Sequence, residues 1–294
     1  MIKKLSDRAI SFISYAVLTI FSLLCTYPLL LIFMVSISDE LKVQLHGYKI
    51  IPEAVSFKTY IYLWERSGDS ILNAYAMSVL VTVIGTLSSM GVTSMFAYSI
   101  SQKNVRYRNA ISLFSYFTVI FSAGIVPWYI VCVQILHINN TFFGLFLPYL
   151  VNVWNLFLLR NYFQSVPDSL AESAKIDGAG DFYIFIRIFL PVSKTALLTV
   201  GLFYALQYWN DWWLPIMLIT KRTLFPLQYY LFSTLTNVQA LSNNTSLGIT
   251  ANIPLPTETV KMAVTVVAVG PIIFLYPIVQ KYFVKGIIVG AVKG

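Results

Sequence analysis

Three carboxylates that lie close together in the sequence, Glu172, Asp177 and Asp181, are the residues best suited to acid–base or metal chemistry. The remaining parts of such a site are missing from the sequence. The two histidines, His46 and His137, are distant from this group, and no HExxH, GxSxG or CxxC motif occurs. A glycine is never followed by lysine, which excludes a P-loop. The chain is therefore expected to be no enzyme, to bind no metal and to hold no cofactor.

The residues around these carboxylates instead predict two short helices joined by a glycine turn. Ser169 and Glu172 have the spacing of a capping box, so a helix is expected to start there. Gly178 suits the left-handed position that ends a helix. Asp181 is expected to cap the second helix, which Pro191 ends or bends.

A small-residue face is expected on the first helix, because Ala171 and Ala174 lie three residues apart. Small side chains let another protein approach closely. A structured segment of this kind at a membrane face predicts a docking surface for another protein. The alternative is an ordinary amphipathic connector between two apolar runs.

The elements that must position this segment are membrane spans. Of the 294 residues, 57% are hydrophobic and 11% are charged, against about 25% charged in soluble domains. A bilayer core of about 30 Å needs about 20 apolar residues per helix. Six runs meet this requirement: about 11–37, 71–100, 110–136, 141–163, 195–220 and 259–283. The first run is too long for a signal peptide. No internal repeat is evident, so an all-α integral membrane protein with a single domain over 1–294 is predicted.

The charge distribution predicts the orientation of the spans. With the N-terminus in the cytoplasm, the inner segments hold 13 of the 20 Lys and Arg residues, as the positive-inside rule requires. Both termini and the loop 164–194 are then cytoplasmic, and 38–70 and 221–258 are outside. The outer segment 221–258 is expected to contain a short helix between Leu224 and Leu235. Membrane topology thus explains the excess of basic over acidic residues without a nucleic-acid partner.

The segment Glu172-Ser173-Ala174-x-x-Asp177-Gly178-Ala179, with Ile188-x-Leu190-Pro191 after it, resembles the EAA loop of ABC-importer permeases. Ser173 stands where the family usually has alanine. The motif Trp209-Asn210-Asp211 and the stretch Tyr276–Gly286 resemble the carbohydrate-uptake, maltose-type branch of these permeases. The ending Gly286–Gly294 is most similar to oligosaccharide permeases, in the second position of a paired set. The resemblance extends over most of the chain.

This resemblance implies a transport subunit that other proteins drive. The EAA helix would lie in a groove of a cytoplasmic ATPase, and two such subunits would hold ATP and Mg²⁺. A second homologous permease would complete the path across the bacterial cytoplasmic membrane, and an extracellular solute-binding protein would deliver the sugar. Glu172 would contact a basic ATPase residue, Ala174 and Gly178 would pack closely, and Leu190-Pro191 would form the fixed end. The implied coupling residues are Glu172, Ser173, Ala174, Asp177, Gly178, Ala179, Ile188, Leu190 and Pro191.

Residues able to contact sugar lie within or near the predicted spans. Sugars bind to aromatic faces, amides and carboxylates, and an ionisable residue deep in a span is a functional candidate. Asp211 lies about 24 Å from the inner end of its run at 1.5 Å per residue. The tryptophans are also typical of an interface belt, and the asparagines of helix bridges. The candidates are Asn73, Asn152, Trp154, Asn155, Gln207, Trp209, Asn210 and Asp211.

A stand-alone secondary transporter or channel is the alternative function. Such proteins show paired charges at mid-membrane and broken helices in matching halves of the sequence. The sequence shows no internal symmetry and almost no charge within its runs, which favours the ABC permease.

Overall fold

The computed structural model describes residues 2–246 and 258–270, and the regular structure within them is helical apart from one bridge between Ser38 and Val55. The all-α prediction is confirmed for this part of the chain. The α-helices are α1 (Ile2–Ser36), α2 (Glu40–His46), α3 (Lys58–Ser101), α4 (Arg108–Ile120), α5 (Ile125–Ile130), α6 (Val153–Gln164), α7 (Asp168–Ile176), α8 (Asp181–Ile184), α9 (Leu190–Val192), α10 (Lys194–Trp209), α11 (Trp213–Leu218), α12 (Leu227–Ser246) and α13 (258–270). Turns of π-helix lie at Val131–Ile135 and Phe185–Phe189, and 3₁₀ turns at Phe142–Leu145, Leu147–Tyr149 and Arg222–Leu224.

Contacts divide the described residues into two compact units. The first contains the residues up to Asp69 and those from Ser233 to 270, and the second contains Ser70–Phe232. The prediction of one domain over 1–294 stays a prediction.

Polar contacts of Glu40 organise the first unit. Asp39 caps α2 by accepting a hydrogen bond from the N–H of Leu41 at 3.1 Å. The Glu40 carboxylate accepts hydrogen bonds from the N–H groups of Glu258 (3.1 Å) and Thr259 (2.9 Å). It thus binds the first N–H groups of α13, where a helix favours negative charge. The Tyr48 hydroxyl donates to the Glu258 carboxylate at 2.5 Å, so two points of the segment after α1 are held to the start of α13.

Two single helices are long and apolar enough to cross a membrane. They are Ile10–Ser36 and Gly68–Ser101, which correspond to the predicted runs 11–37 and 71–100. Side chains of the first are exposed on all sides, as with Phe12 and Tyr15. A helix that is apolar all round belongs in lipid or against another subunit rather than in water.

Two further runs are bent pairs of helices rather than continuous ones, and a third bend lies where the predicted loop meets α10. The run 110–136 bends by 114° between α4 and α5, and Gly124 has the positive φ of 85° needed there. The run 141–163 bends by 53°, between its 3₁₀ turns and α6. The segment Asp181–Val192 meets α10 at 85°.

The prediction of one helix over the run 195–220 was wrong, because α10 ends at Trp209 and α11 begins at Trp213. The Asp211 carboxylate accepts hydrogen bonds from the N–H groups of Trp213 (3.0 Å) and Leu214 (3.4 Å). These bonds start a new helix after the break.

The outer segment also differs from its prediction, because α12 has 20 residues rather than being a short helix between Leu224 and Leu235. The helix continues beyond Leu235 to Ser246. Of the sixth predicted run, 259–283, residues 259–270 are helical. Residues 271–283 of that run and the motifs Tyr276–Gly286 and Gly286–Gly294 lie outside the described residues.

Two tyrosines on one face of α10 fix this helix against α3. The Tyr204 hydroxyl lies 2.7 Å from that of Thr93, and the Tyr208 hydroxyl lies 2.7 Å from that of Ser89. All four side chains are buried. A Cβ at Gly85 would lie 2.9 Å from the Tyr208 ring, so a glycine there permits the close approach of the two helices.

Candidate functional site

The turn after α7 is a complete Schellman motif. The N–H of Gly178 donates to the carbonyl of Lys175 at 3.0 Å, and that of Ala179 donates to the carbonyl of Ala174 at 2.9 Å. Gly178 has a φ of 83°, which confirms the predicted left-handed position. A Cβ at Gly178 would meet no atom of this chain within 4 Å. The chain therefore needs glycine there for its backbone conformation and not for space.

The start of α7 was wrongly predicted. The helix begins at Asp168 after Pro167, and no side chain caps it, so Ser169 and Glu172 do not form a capping box. The fixed φ of Pro167, at −58°, already sets the chain direction for a first turn. Asp168 lies in the first turn, where its charge suits the helix dipole, and it pairs with Lys103 at 2.5 Å.

Asp181 does not cap the second helix, because Gly180 occupies the capping position and Asp181 is the first helical residue. Its carboxylate instead pairs with Lys175 at 3.0 Å. This ion pair spans the Gly178 turn and joins the end of α7 to the start of α8. Both side chains are exposed, so its contribution to stability is small, typically about 0.2–1 kcal/mol.

The two faces of α7 are opposite to the predicted arrangement. Ala171 and Ala174 are half-buried and pack against the chain's own core, as does Ala179. Their small size allows α7 to lie close to its own protein. The outward surface of the segment is formed by Glu172, Ser173, Asp177 and Gly178, together with Lys175 and Ile176. The role of Ala174 in packing against a partner stays a prediction.

Ile176 is a surface residue that the sequence reasoning missed. It is 87% exposed at the last position of α7. The available signal for this exposure was the position of a large aliphatic side chain between two charged residues, shortly before a helix-ending glycine. Buried apolar side chains dominate contacts between proteins, so Ile176 has the chemistry of an anchor for a partner's pocket.

Four buried aromatic rings support the segment from beneath. Tyr98 of α3 lies 5.1 Å from Phe185 and 4.9 Å from Phe189, and Phe163 of α6 lies 5.8 Å from Phe189. The Tyr98 hydroxyl also donates to the backbone carbonyl of Asp181 at 3.3 Å. The rings join α3 and α6 to the second half of the segment. The sequence reasoning did not single them out.

The end of the segment agrees with the prediction for Pro191. A π-helical turn, Phe185–Phe189, leads into α9, and the chain then turns by 85° into α10. Pro191 has no backbone N–H to donate, which favours a bend at this point. Ile188 and Leu190 are half-buried against the core, and Pro191 is exposed.

Asp211 is the one charged residue among the proposed sugar contacts. It is 9% exposed, and besides the α11 N–H groups its carboxylate lies 3.5 Å from the Tyr149 hydroxyl. These bonds give Asp211 a structural task. Its role in sugar contact stays a prediction.

The other proposed sugar contacts are held in different ways. Asn152 caps α6 through the N–H groups of Trp154 and Asn155, Asn155 is buried, and Trp154 is 76% exposed. Amide donors of two more residues bind backbone carbonyls, Asn73 to Thr223 and Asn210 to Leu206, each at 2.9 Å. Gln207 and Trp209 are half-buried, and the Trp209 Nε1 is a buried donor without an acceptor in the described part of the chain.

Across residues 2–246 and 258–270, no three His, Cys, Asp or Glu side chains converge as a metal site requires.

Comparison with known proteins places this geometry in a family. A family model described as "Binding-protein-dependent transport system inner membrane component" matches residues 89–289. The chain belongs to this family of transport permeases. The match includes the Gly178 turn, its aromatic support and the α3–α10 contact.

Permeases of known systems are similar over nearly the whole chain. The polygalacturonan/rhamnogalacturonan transport system permease YtcP of Bacillus subtilis is 36% identical over 99% of this chain and 100% of its own length. The arabinooligosaccharides permease AraQ of the same organism is 27% identical over 93% of this chain and 92% of its own. A chain in the crystal structure of a bacterial ABC transporter involved in import of the acidic polysaccharide alginate matches with a TM-score of 0.82. It is 30% identical, over 95% of this chain and 98% of that one.

These findings confirm the family resemblance and the membrane location of this permease. They disfavour the stand-alone secondary transporter or channel. A transport subunit is also consistent with the expectation that the chain itself is no enzyme.

Proposed function

We propose that this permease serves an ATP-driven importer of acidic, uronic-acid-rich oligosaccharides. The observation that carries the proposal is its similarity, over nearly its whole length, to a permease named for polygalacturonan and rhamnogalacturonan. The structural match to the alginate importer supports the same substrate class. Galacturonate and alginate units each carry a carboxylate, so the proposed cargo is anionic.

This permease is proposed to form half of a translocator, and its proposed partners are the subunits that complete and drive the transport path. A second homologous permease completes the path, two cytoplasmic ATPase subunits bind ATP and Mg²⁺, and an extracellular solute-binding protein delivers the oligosaccharide. Both termini of the permease lie in the cytoplasm of a bacterial cell in this proposal. The charge distribution of the sequence supports this orientation.

The proposed coupling surface is the outward face of α7 and its turn. Ile176 enters an apolar part of a groove on the ATPase, and Glu172 and Asp177 pair with basic residues at its rim. The open space beside Gly178 supports close approach of that groove. Buried apolar anchors within a charged rim are the usual arrangement of protein interfaces.

Movement of this surface is proposed to reach the spans through the aromatic rings beneath it. The ring centre of Tyr98 lies 4.9–6.4 Å from those of Phe163, Phe185 and Phe189. The Phe163 and Phe189 rings lie 5.8 Å apart. Close-packed interiors transmit displacement rather than absorb it. A shift of α7 and α8 therefore displaces α3 and α6 together.

Two exposed cations support an anionic cargo. Lys221 and Arg222 follow α11, on the outer side in the proposed topology. No carboxylate of the described residues lies within 4.0 Å of either. Unpaired cations at an entrance raise the local concentration of an anionic solute.

Uptake by the reconstituted complex tests the proposal. Oligogalacturonides and arabino-oligosaccharides of equal length are supplied with the cognate binding protein. Preferential uptake of the acidic sugar is expected. The double variant Lys221→Gln/Arg222→Gln is expected to raise the concentration for half-maximal uptake of the acidic sugar at low salt and to leave neutral uptake unchanged. Equal transport of the two sugars would refute the acidic substrate class.

A further inference from the structure

We infer that a cleft between α4 and α6 binds the phosphate of an anionic phospholipid. The cleft is open, measures about 520 Å³ and is lined by Asn109, Ser112, Tyr116, Phe157, Arg160 and Asn161. The inference does not depend on which sugar is transported.

Arg160 supplies a charge that the described part of the chain does not neutralise. Its guanidinium carbon lies 5.9 Å from the Phe157 ring centre, and its Nε donates to the carbonyl of Ile100 at 3.4 Å. No carboxylate of residues 2–246 or 258–270 lies within 4.0 Å of it, and its two terminal nitrogens have no acceptor there. A half-buried guanidinium near a membrane surface is costly without a counter-ion. Its free pair of N–H-bearing nitrogens matches two oxygens of a phosphate.

The start of α4 adds backbone donors to the same cleft. Tyr107 precedes the helix without a side-chain cap. The N–H groups of Arg108 and Ile111 bind Val105 and Tyr107 carbonyls. Those of Asn109 and Ala110 have no acceptor among the described residues, and of these two residues Asn109 lines the cleft. Free N–H groups at the start of a 13-residue helix favour an anion.

The surface of α4 beyond the cleft indicates a lipid rather than a free anion. Leu113 lines the cleft and is 69% exposed, and Phe114 beside it is 70% exposed. An acyl chain can cover these side chains while its phosphate lies against Arg160. Arg106 precedes the same helix and adds positive charge, which attracts anionic headgroups. In the proposed topology this is the inner leaflet.

The experiment is native mass spectrometry of the assembled complex released from nanodiscs of equal phosphatidylglycerol and phosphatidylethanolamine. The unaltered complex is expected to retain phosphatidylglycerol preferentially. Arg160→Gln is expected to lower the retained ratio of the two lipids about tenfold, the effect of one lost charge-assisted contact. Arg187→Gln removes another arginine that does not line the cleft, and the ratio is expected to stay unchanged.

One further variant and two further outcomes distinguish a lipid site from the alternatives. Arg160→Lys retains the charge and is expected to keep an intermediate ratio, which also shows that the site tolerates substitution. Release of the lipid by excess inorganic phosphate would show a soluble-anion site and overturn the inference. Loss of the second permease from the Arg160→Gln complex, with the lipid ratio unchanged, would instead assign Arg160 to a carboxylate of that subunit.

Discussion

Replacement of Gly178 by serine tests whether the left-handed turn controls transport. Gly178 has a φ of 83° and no atom within 4 Å of the Cβ position. Serine would therefore meet no steric obstacle in this chain, and its cost would be the left-handed backbone, about 1–2 kcal/mol. That energy lowers the population of the closed turn roughly 5- to 30-fold relative to competing conformations.

Gly180 provides a matched control two residues away. It is also exposed with open space at its Cβ, but its φ is −72° and it occupies the N-cap of α8. Serine is a good N-cap residue, so Gly180→Ser is expected to be neutral or slightly stabilising. The paired variants therefore separate backbone strain from an added side chain.

The assay compares sugar uptake, sugar-stimulated ATP hydrolysis and the amount of assembled complex in membranes. Gly178→Ser is expected to reduce uptake while Gly180→Ser leaves it unchanged. Gly178→Val, which adds a β-branched side chain, is expected to abolish uptake without preventing insertion. Normal uptake by Gly178→Val at normal abundance would refute the reasoning.

Three other predictions concern different parts of the chain. Ile176→Asp is expected to lose the ATPase subunits on purification while Ile176→Leu retains them, and retention by both would remove Ile176 from the interface. The hydrogen bonds from Lys261 and Tyr48 lower the pKa of Glu258 below 4.5, and the bond to Glu258 raises the pKa of Tyr48 to about 12. The ionised Glu258 carboxylate thus contributes stability above pH 4.5, and this stability is lost as the pH falls through the lowered pKa. The difference in Tm between the unaltered complex and Glu258→Gln should therefore shrink as the pH falls through that pKa. A difference in Tm that is independent of pH would contradict this prediction. The Tyr48 contribution is complete below pH 10 and is lost as the pH rises through about 12. Tags at the N-terminus, within 101–109 and at the C-terminus should be accessible only from the cytoplasm, and tags near 50 and 243 only from outside; one inversion would break the six-span topology.

Hydrophobic run length located two long apolar helices but not the breaks within other runs. The runs 11–37 and 71–100 correspond to single helices, a form that satisfies the backbone hydrogen bonds within the segment in lipid. The same argument gave no sign of the 114° bend after Ile120 or the break after Trp209. Those breaks depend on local features, the φ of Gly124 and the N–H groups bound by Asp211, which hydropathy does not report.

At the candidate site, the turn was predictable and the orientation of its helix was not. Gly178 has a local reason to be glycine, so its conformation could be inferred from neighbouring residues. The position of Ala171 and Ala174 depends on what α7 packs against, and a helical period defines a face without naming its neighbour. The aromatic support was equally hidden, because Tyr98, Phe163 and Phe189 come from separate stretches of the sequence.

The break between α4 and α5 also bears on how this permease persists in a cell. The Phe121 N–H binds the carbonyl of Phe117 at 2.9 Å, but the carbonyls of residues 118–120 have no partner within their helix. Residues 121–124 beside them are exposed. In hydrocarbon, each unsatisfied backbone group costs several kcal/mol. A solitary copy would carry that cost until a companion subunit or a water-filled path faced the break. We therefore expect turnover of the solitary chain to be fast, so that its abundance is matched to the supply of its companions.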